Sequence, residues 1–176
     1  RERLAVADGA TEGFKAREFA QALTRAFIKN PCQAVPDEIT AWLTDPIQEW
    51  RQGIIWANLP WNALTKAERG SMAAFLGAVF SEWQWNAWAI GDVCLFQTRR
   101  FRVIQTFPLT RPEEFGYTPT LLFTNRDRNQ KSLENLKIRS GTCEPGDMFL
   151  VATDAFACWL MGIVTSKEPE KIQETF

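Results

Sequence analysis

The chain has 176 residues, with 20 Lys and Arg against 21 Asp and Glu, no His and a formal net charge of −1. This length is typical of one domain. The near-zero net charge argues against a protein that binds nucleic acids or anionic membranes, because such proteins carry an excess of basic residues. Without His, the sequence excludes Ser-His-Asp and Cys-His nucleophile systems and zinc sites with imidazole ligands. Acid, base or metal chemistry must therefore come from carboxylates, thiols, Lys, Tyr or the backbone.

Hydrophobic periodicity in the N-terminal half predicts one strand, two helical stretches and one ambiguous segment. In chain order these are a strand at Leu4–Ala7, a helix over 16–27, a helical stretch over 36–58 that Pro46 interrupts, a capping box at Thr65–Glu68 and an apolar segment at Met72–Phe80. The last segment is apolar on both faces. Its periodicity therefore leaves a buried strand and a buried helix both open.

The C-terminal half is predicted to be mainly strands. In chain order we predict a β-hairpin over 85–98 that turns at Gly91-Asp92, a strand over 102–107, a mobile surface segment over 108–142, a strand over 148–152, a helix over 155–161 and a polar tail over 167–176. No run of 18 apolar residues is present, so the sequence predicts no membrane span.

The four cysteines indicate a reducing compartment. Cys32, Cys94, Cys143 and Cys158 include no C-x-x-C spacing, which argues against a zinc ribbon or a redox pair. We therefore expect buried, reduced thiols in a cytoplasmic protein. The first residues, Arg1-Glu2-Arg3, do not have the pattern of a signal peptide, and a start without Met indicates a fragment of a longer chain.

Three aspartates share one sequence context, because each comes at or just after an apolar strand. Asp8 and Asp154 end strands, and Asp92 lies in the predicted hairpin turn. If these ends point the same way, the carboxylates repel each other unless a cation neutralises them, and Mg²⁺ or Mn²⁺ prefers such oxygen ligands. The alternative is purely structural, because Asp is common in turns and at helix N-caps. Spacing alone leaves both interpretations open.

Four segments, in order, resemble the metal-dependent protein phosphatase 2C (PP2C, PPM-type) family of serine/threonine phosphatases, particularly its divergent bacterial branch. Val6–Glu12 is similar to the family's strand-ending Asp-Gly, and Gly70–Ala73 to its Gly-Ser/Thr-Thr-Ala strand start. Ala89–Phe96 is similar to its Val-Gly-Asp-Ser-Arg segment. Gly146–Ala155 is similar to its Asp-x-Phe-Leu-Leu-Ala-Thr-Asp-Gly strand. No segment is specific alone, but their order and separations strengthen the joint signal.

The resemblance implies an α+β fold: a four-layer α-β-β-α sandwich of two mostly antiparallel sheets, with Met72–Phe80 as a central strand. It implies that Asp8 bridges two Mn²⁺ or Mg²⁺ ions, that Gly9 contributes its carbonyl, that Asp154 binds one ion and that Asp92 helps to hold a third. A water between the two main ions would then hydrolyse phosphoserine or phosphothreonine in proteins. The implied partners are a phosphoprotein and a cognate Ser/Thr kinase, with no nucleic acid and no membrane.

Departures from the family pattern leave other interpretations open. The family's Asp-Gly-His-Gly-Gly loop is replaced by Asp8–Glu12, its Gly-Asp-Ser-Arg arginine by Cys94, and the glycine after the last aspartate by Ala155. We expect 1–176 to be a single domain that lacks the family's N-terminal strands and C-terminal metal-ligand segment. The alternatives are a pseudophosphatase that serves as a binding or regulatory module, and an unrelated α/β domain. Glu12 could be a ligand near Asp8 or a first-turn helix residue.

Overall fold

The structure, a computed structural model, describes residues 2–165. The strands are β1 (Glu2–Gly9), β2 (Met72–Ser81), β3 (Gln84–Ile90), β4 (Cys94–Arg99), β5 (Arg102–Phe107), β6 (Leu122–Phe123), β7 (Lys137–Thr142) and β8 (Met148–Ala152). The helices are α1 (Ala16–Lys29), α2 (Pro36–Trp42), α3 (Thr44–Gln52), α4 (Trp61–Arg69), α5 (Arg126–Leu133) and α6 (Asp154–Thr165). Short 3-10 turns lie at Trp56–Asn58 and Pro112–Glu114.

The strands form two antiparallel sheets. The first, sheet A, has the order β1-β2-β3-β7, with the short β6 also pairing with β2. The second, sheet B, has the order β5-β4-β8. β2 is buried over most of its length, as a central strand covered on both faces must be. The strand assignment of Met72–Phe80 is confirmed.

Three hydrophobic clusters separate four layers. The first packs Phe19, Leu23 and Phe27 of α1, with residues of α2 and α3, against the outer face of sheet A. The second lies between the sheets and includes Leu76 and Leu95. The third packs α6 against the outer face of sheet B. The predicted α-β-β-α sandwich is confirmed.

The predicted hairpin over 85–98 is wrong. β3 pairs with β2 and β7 in sheet A, whereas β4 pairs with β5 and β8 in sheet B. The Gly91-Asp92 turn is therefore a crossing from one sheet to the other. β4 is buried on both faces, as is β3 from Ala87 onward, and a continuous apolar run does not reveal which neighbour a strand pairs with.

Two further predictions are corrected. The segment 108–142, predicted to be a mobile surface segment, contains β6, α5 and β7, and the Asn129 side chain hydrogen-bonds both the N–H and the C=O of Phe123. Thr65 and Glu68 lie inside α4, where Thr65 Oγ1 donates to the carbonyl of Trp61, so they form no capping box. The predicted polar tail at 167–176 lies outside the described residues.

Candidate active site

Asp8 and Gly9 are the last two residues of β1. They pair with Ala74 and Ala73 of β2, so the strand delivers the Asp8 carboxylate to the end of sheet A at which β2 begins. A Cβ atom on Gly9 would overlap the backbone carbonyl of Ala16 at the start of α1. Packing against α1 therefore requires glycine after Asp8, independently of any ligand.

Asp92 lies in the crossing between the sheets. Its neighbour Gly91 has φ +101°, a left-handed conformation, and a Cβ there would lie 2.7 Å from the Cβ of Ala74. Glycine is therefore required, and the turn holds Asp92 half-buried beside the start of β4. The thiol of Cys94 donates to the backbone carbonyl of Asp92 at 3.4 Å.

Asp154 is the first residue of α6, which begins just after β8. Ala152 at the end of β8 pairs with Cys94 at the start of β4, so Asp154 and Asp92 lie at the same end of sheet B. The Oδ1 atom of Asp154 accepts a hydrogen bond from the N–H of Ala155 at 2.6 Å. The negative charge is also favourable at a helix N-terminus.

The charges of the three carboxylates interact. Burial raises the pKa of Asp8 above its usual value, and the Asp154 carboxylate raises it further. Burial also raises the pKa of Asp92, and the charges of Asp154 and Asp8 add to the shift. Three side chains from remote parts of the chain therefore share one electrostatic environment, in which a cation would relieve their repulsion.

The donor chemistry fits a hard divalent cation, because these side chains offer oxygen ligands alone. Within residues 2–165, however, no three or more His, Cys, Asp or Glu side chains are grouped closely enough to hold a metal ion. The carboxylates are near enough to perturb each other but do not form a closed ligand set. Glu12 lies exposed in the loop between β1 and α1.

Arg17 is not among the residues predicted from the sequence. This residue lies in the first turn of α1 and lines a cavity of about 260 Å³ together with Asp8, Gly9 and Gln21. The signal that could have identified it is its place in the first turn of the helix that follows the Asp-Gly pair. Arg3, in contrast, is remote from the site, because its guanidinium donates to the carbonyls of Ile28 and Lys29 at the end of α1.

The sequence matches the family model described as Protein phosphatase 2C over residues 1–173. The chain belongs to the protein phosphatase 2C family. The resemblance found in the four sequence motifs is thereby confirmed, and the interpretation as an unrelated α/β domain is excluded. No significant match is found among curated proteins.

Solved phosphatase structures share the fold. The photosystem II phosphatase PBCP is 14% identical with a TM-score of 0.55, over 98% of this chain and 65% of that chain. The Mycobacterium tuberculosis serine/threonine phosphatase PstP/Ppp is 12% identical with a TM-score of 0.53, over 98% and 80%. The PstP catalytic domain in complex with two manganese ions is 13% identical with a TM-score of 0.50, over 98% and 79%. This protein phosphatase 2C chain therefore spans less than two thirds of PBCP.

Between residues 2 and 165, no helix of this protein phosphatase 2C chain is both long enough and apolar enough to cross a bilayer.

Proposed function

We propose that this chain is a metal-dependent protein phosphatase that hydrolyses phosphoserine and phosphothreonine in proteins. The observation that carries the proposal is the electrostatic coupling of Asp8, Asp92 and Asp154, which come from three different elements. Membership of the protein phosphatase 2C family supports the reaction class. The substrate is a phosphoprotein, and a cognate Ser/Thr kinase in the cytoplasm remains a prediction.

In this proposal, Mn²⁺ or Mg²⁺ is held by the carboxylates of Asp8 and Asp154 and the carbonyl of Gly9, and Asp92 helps to hold a third ion. When bound, such ions supply positive charge and lower the pKa of water. The PstP catalytic domain, which was solved with two manganese ions, shares this fold and supports the use of divalent metal here. Bound cations would offset the negative charge of Asp154 that, after burial, helps to raise the pKa of Asp8 and Asp92.

Arg17 is the cation that this chain itself places in a cavity with Asp8. In residues 2–165 its guanidinium forms no ion pair, so it is free to attract the phosphate of a substrate. We propose that it positions the phosphate through its positive charge and the fixed geometry of its N–H donors. Arg17→Ala should therefore raise KM more than it lowers kcat.

A pseudophosphatase remains the second candidate function. It is favoured by the lack of a closed three-ligand cluster among residues 2–165. In that case the same fold serves as a binding or regulatory module, and divalent ions bind weakly. The two candidates differ in one measurable property, the affinity for Mn²⁺.

The test combines catalysis with calorimetry on the purified protein. Hydrolysis of p-nitrophenyl phosphate should require Mn²⁺, and Asp8→Ala should abolish it and weaken Mn²⁺ binding at least tenfold. Asp37→Ala, which removes an exposed carboxylate from α2, is the matched control and should change neither quantity. Activity that survives Asp8→Ala or needs no divalent ion would contradict the mechanism. Weak Mn²⁺ binding without turnover would favour the pseudophosphatase.

A further inference from the structure

A groove with a volume of about 810 Å³ lies between α3, α4 and the start of α5. This volume is within the range of ligand-binding clefts, roughly 300–1,000 Å³. Ile47 and Trp50 provide buried apolar surface, and Trp56 of the 3-10 turn provides a partly exposed indole ring. The groove can therefore accept an apolar side chain.

The loop that follows Asp8 and Gly9 is hydrogen-bonded to two residues that line the groove. Phe14 in this loop donates its N–H to the carbonyl of Gly70 at 3.0 Å, and its own carbonyl accepts from Trp50 Nε1 at 3.1 Å. Both Gly70 and Trp50 line the groove. Two hydrogen bonds thus join its lining directly to the Asp8 loop.

The groove carries unpaired charges of both signs. Arg51, Glu68, Arg126 and Asp127 line it, and none of them forms an ion pair with another residue of 2–165. The Arg51 guanidinium lies 5.9 Å from the centre of the Trp56 ring. A small ligand with charge of one sign would be repelled by half of these groups, whereas a peptide can present separate acidic and basic side chains to them.

We infer that this groove binds the polypeptide that flanks the phosphorylated residue of the substrate. An apolar side chain of the peptide packs on the Trp56 ring, an acidic side chain pairs with Arg126, and a basic side chain pairs with Glu68. This inference rests on the proposed phosphatase function, because it assigns the groove to the substrate of that site. It adds a source of specificity that the three aspartates do not provide.

The first experiment compares kinetics on two phosphothreonine peptides of equal length, one flanked by Glu and one flanked by Lys, and on p-nitrophenyl phosphate, which has no flanking chain. Arg126→Glu should raise KM for the Glu-flanked peptide about fivefold and lower it for the Lys-flanked peptide. Glu68→Lys should have the opposite effects. Neither variant should change kcat/KM for p-nitrophenyl phosphate.

Arg102→Glu is the matched control, because Arg102 is exposed at the far end of sheet B, beside Arg99. It should affect both peptides equally and by less than twofold. Equal effects of the groove variants on both peptides, effects no larger than those of Arg102→Glu, or a parallel loss on p-nitrophenyl phosphate would each overturn the inference.

Direct binding separates this inference from the proposed function. In the Asp8→Asn background, fluorescence anisotropy measures the Kd of the two labelled phosphopeptides. Arg126→Glu should raise the Kd of the Glu-flanked peptide and lower that of the Lys-flanked peptide, and Glu68→Lys should do the reverse; this is the charge rule. If the wild-type protein hydrolyses nothing but the rule holds, the phosphatase proposal fails and the peptide groove stands. If turnover is normal but Kd is insensitive to both reversals, the groove proposal fails alone.

Discussion

The carboxylate of Asp147 is the centre of a buried polar network at the end of the sandwich opposite the three aspartates. Its side chain is only 1% exposed. Arg99 donates to it through Nε at 2.8 Å and Nη2 at 3.0 Å, Gln97 Nε2 donates at 2.7 Å, and the N–H of Glu144 donates at 3.0 Å. Gln97 also accepts from the indole N–H of Trp85 at 3.0 Å, which ties the two sheets together.

The Asp147→Ala substitution removes all four of these hydrogen bonds and leaves a 30%-exposed Arg99 without its buried partner. A hydrogen bond to a charged group typically contributes about 1.5–3 kcal/mol to stability. We expect a total loss of about 3 kcal/mol, rather than the sum over all four bonds, because Arg99 keeps Glu144 and Gln97 keeps the carbonyl of Thr142. For a chain of this size that loss lowers Tm by roughly 6–12 °C.

The matched control is Glu144→Ala, which removes the second carboxylate that contacts Arg99. Glu144 is 60% exposed and pairs at 2.7 Å, so its loss should cost less than about 1 kcal/mol. Urea denaturation at neutral pH measures both values. Similar losses for the two variants, or a loss below about 1 kcal/mol for Asp147→Ala, would refute the reasoning that burial sets the strength of this network.

The pH dependence of the same variants provides an independent check. The hydrogen bonds from Arg99 are the largest cause that holds the pKa of Asp147 well below its usual value of 3.8. A carboxyl group whose pKa is lower in the folded state stabilises the protein at pH values above its unfolded-state pKa. This stabilisation is lost progressively as the pH falls from the unfolded-state pKa through the folded-state pKa. The difference in unfolding free energy between wild type and Asp147→Ala should therefore be constant at neutral pH and shrink below about pH 4. A difference that is unchanged at pH 3 would contradict this assignment.

Two further predictions concern packing and thiol reactivity. Gly77→Ala should destabilise the protein by about 1–3 kcal/mol, because the new Cβ would lie 2.5 Å from the Phe27 ring. Gly162→Ala in α6 is the control, because its Cβ meets no atom within 4 Å and the substitution should be neutral or stabilising. Thermal denaturation compares the stability of the two variants. Burial raises the pKa of Cys32 and Cys94 to about 12, so both thiols should resist a disulfide reagent at pH 8 until urea unfolds the chain. Rapid labelling of Cys94 in the native state would contradict its burial.

The sequence could predict elements whose pattern reflects their own burial. The α1 helix shows its apolar stripe because one face packs on sheet A, and β2 is apolar throughout because it is covered on both faces. The sequence could not show the sheet to which a buried strand belongs, which is why the β3–β4 crossing was predicted to be a hairpin. It also hid β7, a largely exposed edge strand with the polar sequence KIRSGT.

The candidate site was predicted through a different kind of signal. Asp8, Asp92 and Asp154 each follow or end an apolar strand, but only the family resemblance placed them together; their spacing did not. For Arg17 the one available signal is its place in the first turn of the helix after the Asp-Gly pair, because a basic residue on an exposed helix face has no distinctive pattern of its own. The groove beside α3 and α4 was missed because its lining comes from three segments that are remote along the chain.

The Gly91-Asp92 crossing also affects how the site responds to distant substitutions. Asp8 is carried by one sheet, Asp154 follows a strand of the other, and Asp92 lies on the link between them. The relative positions of these side chains are therefore set by how the two sheets pack against each other. A slight sliding of one layer, caused by a change of volume at Leu76 or Leu95, would alter the carboxylate geometry without touching any of the three residues.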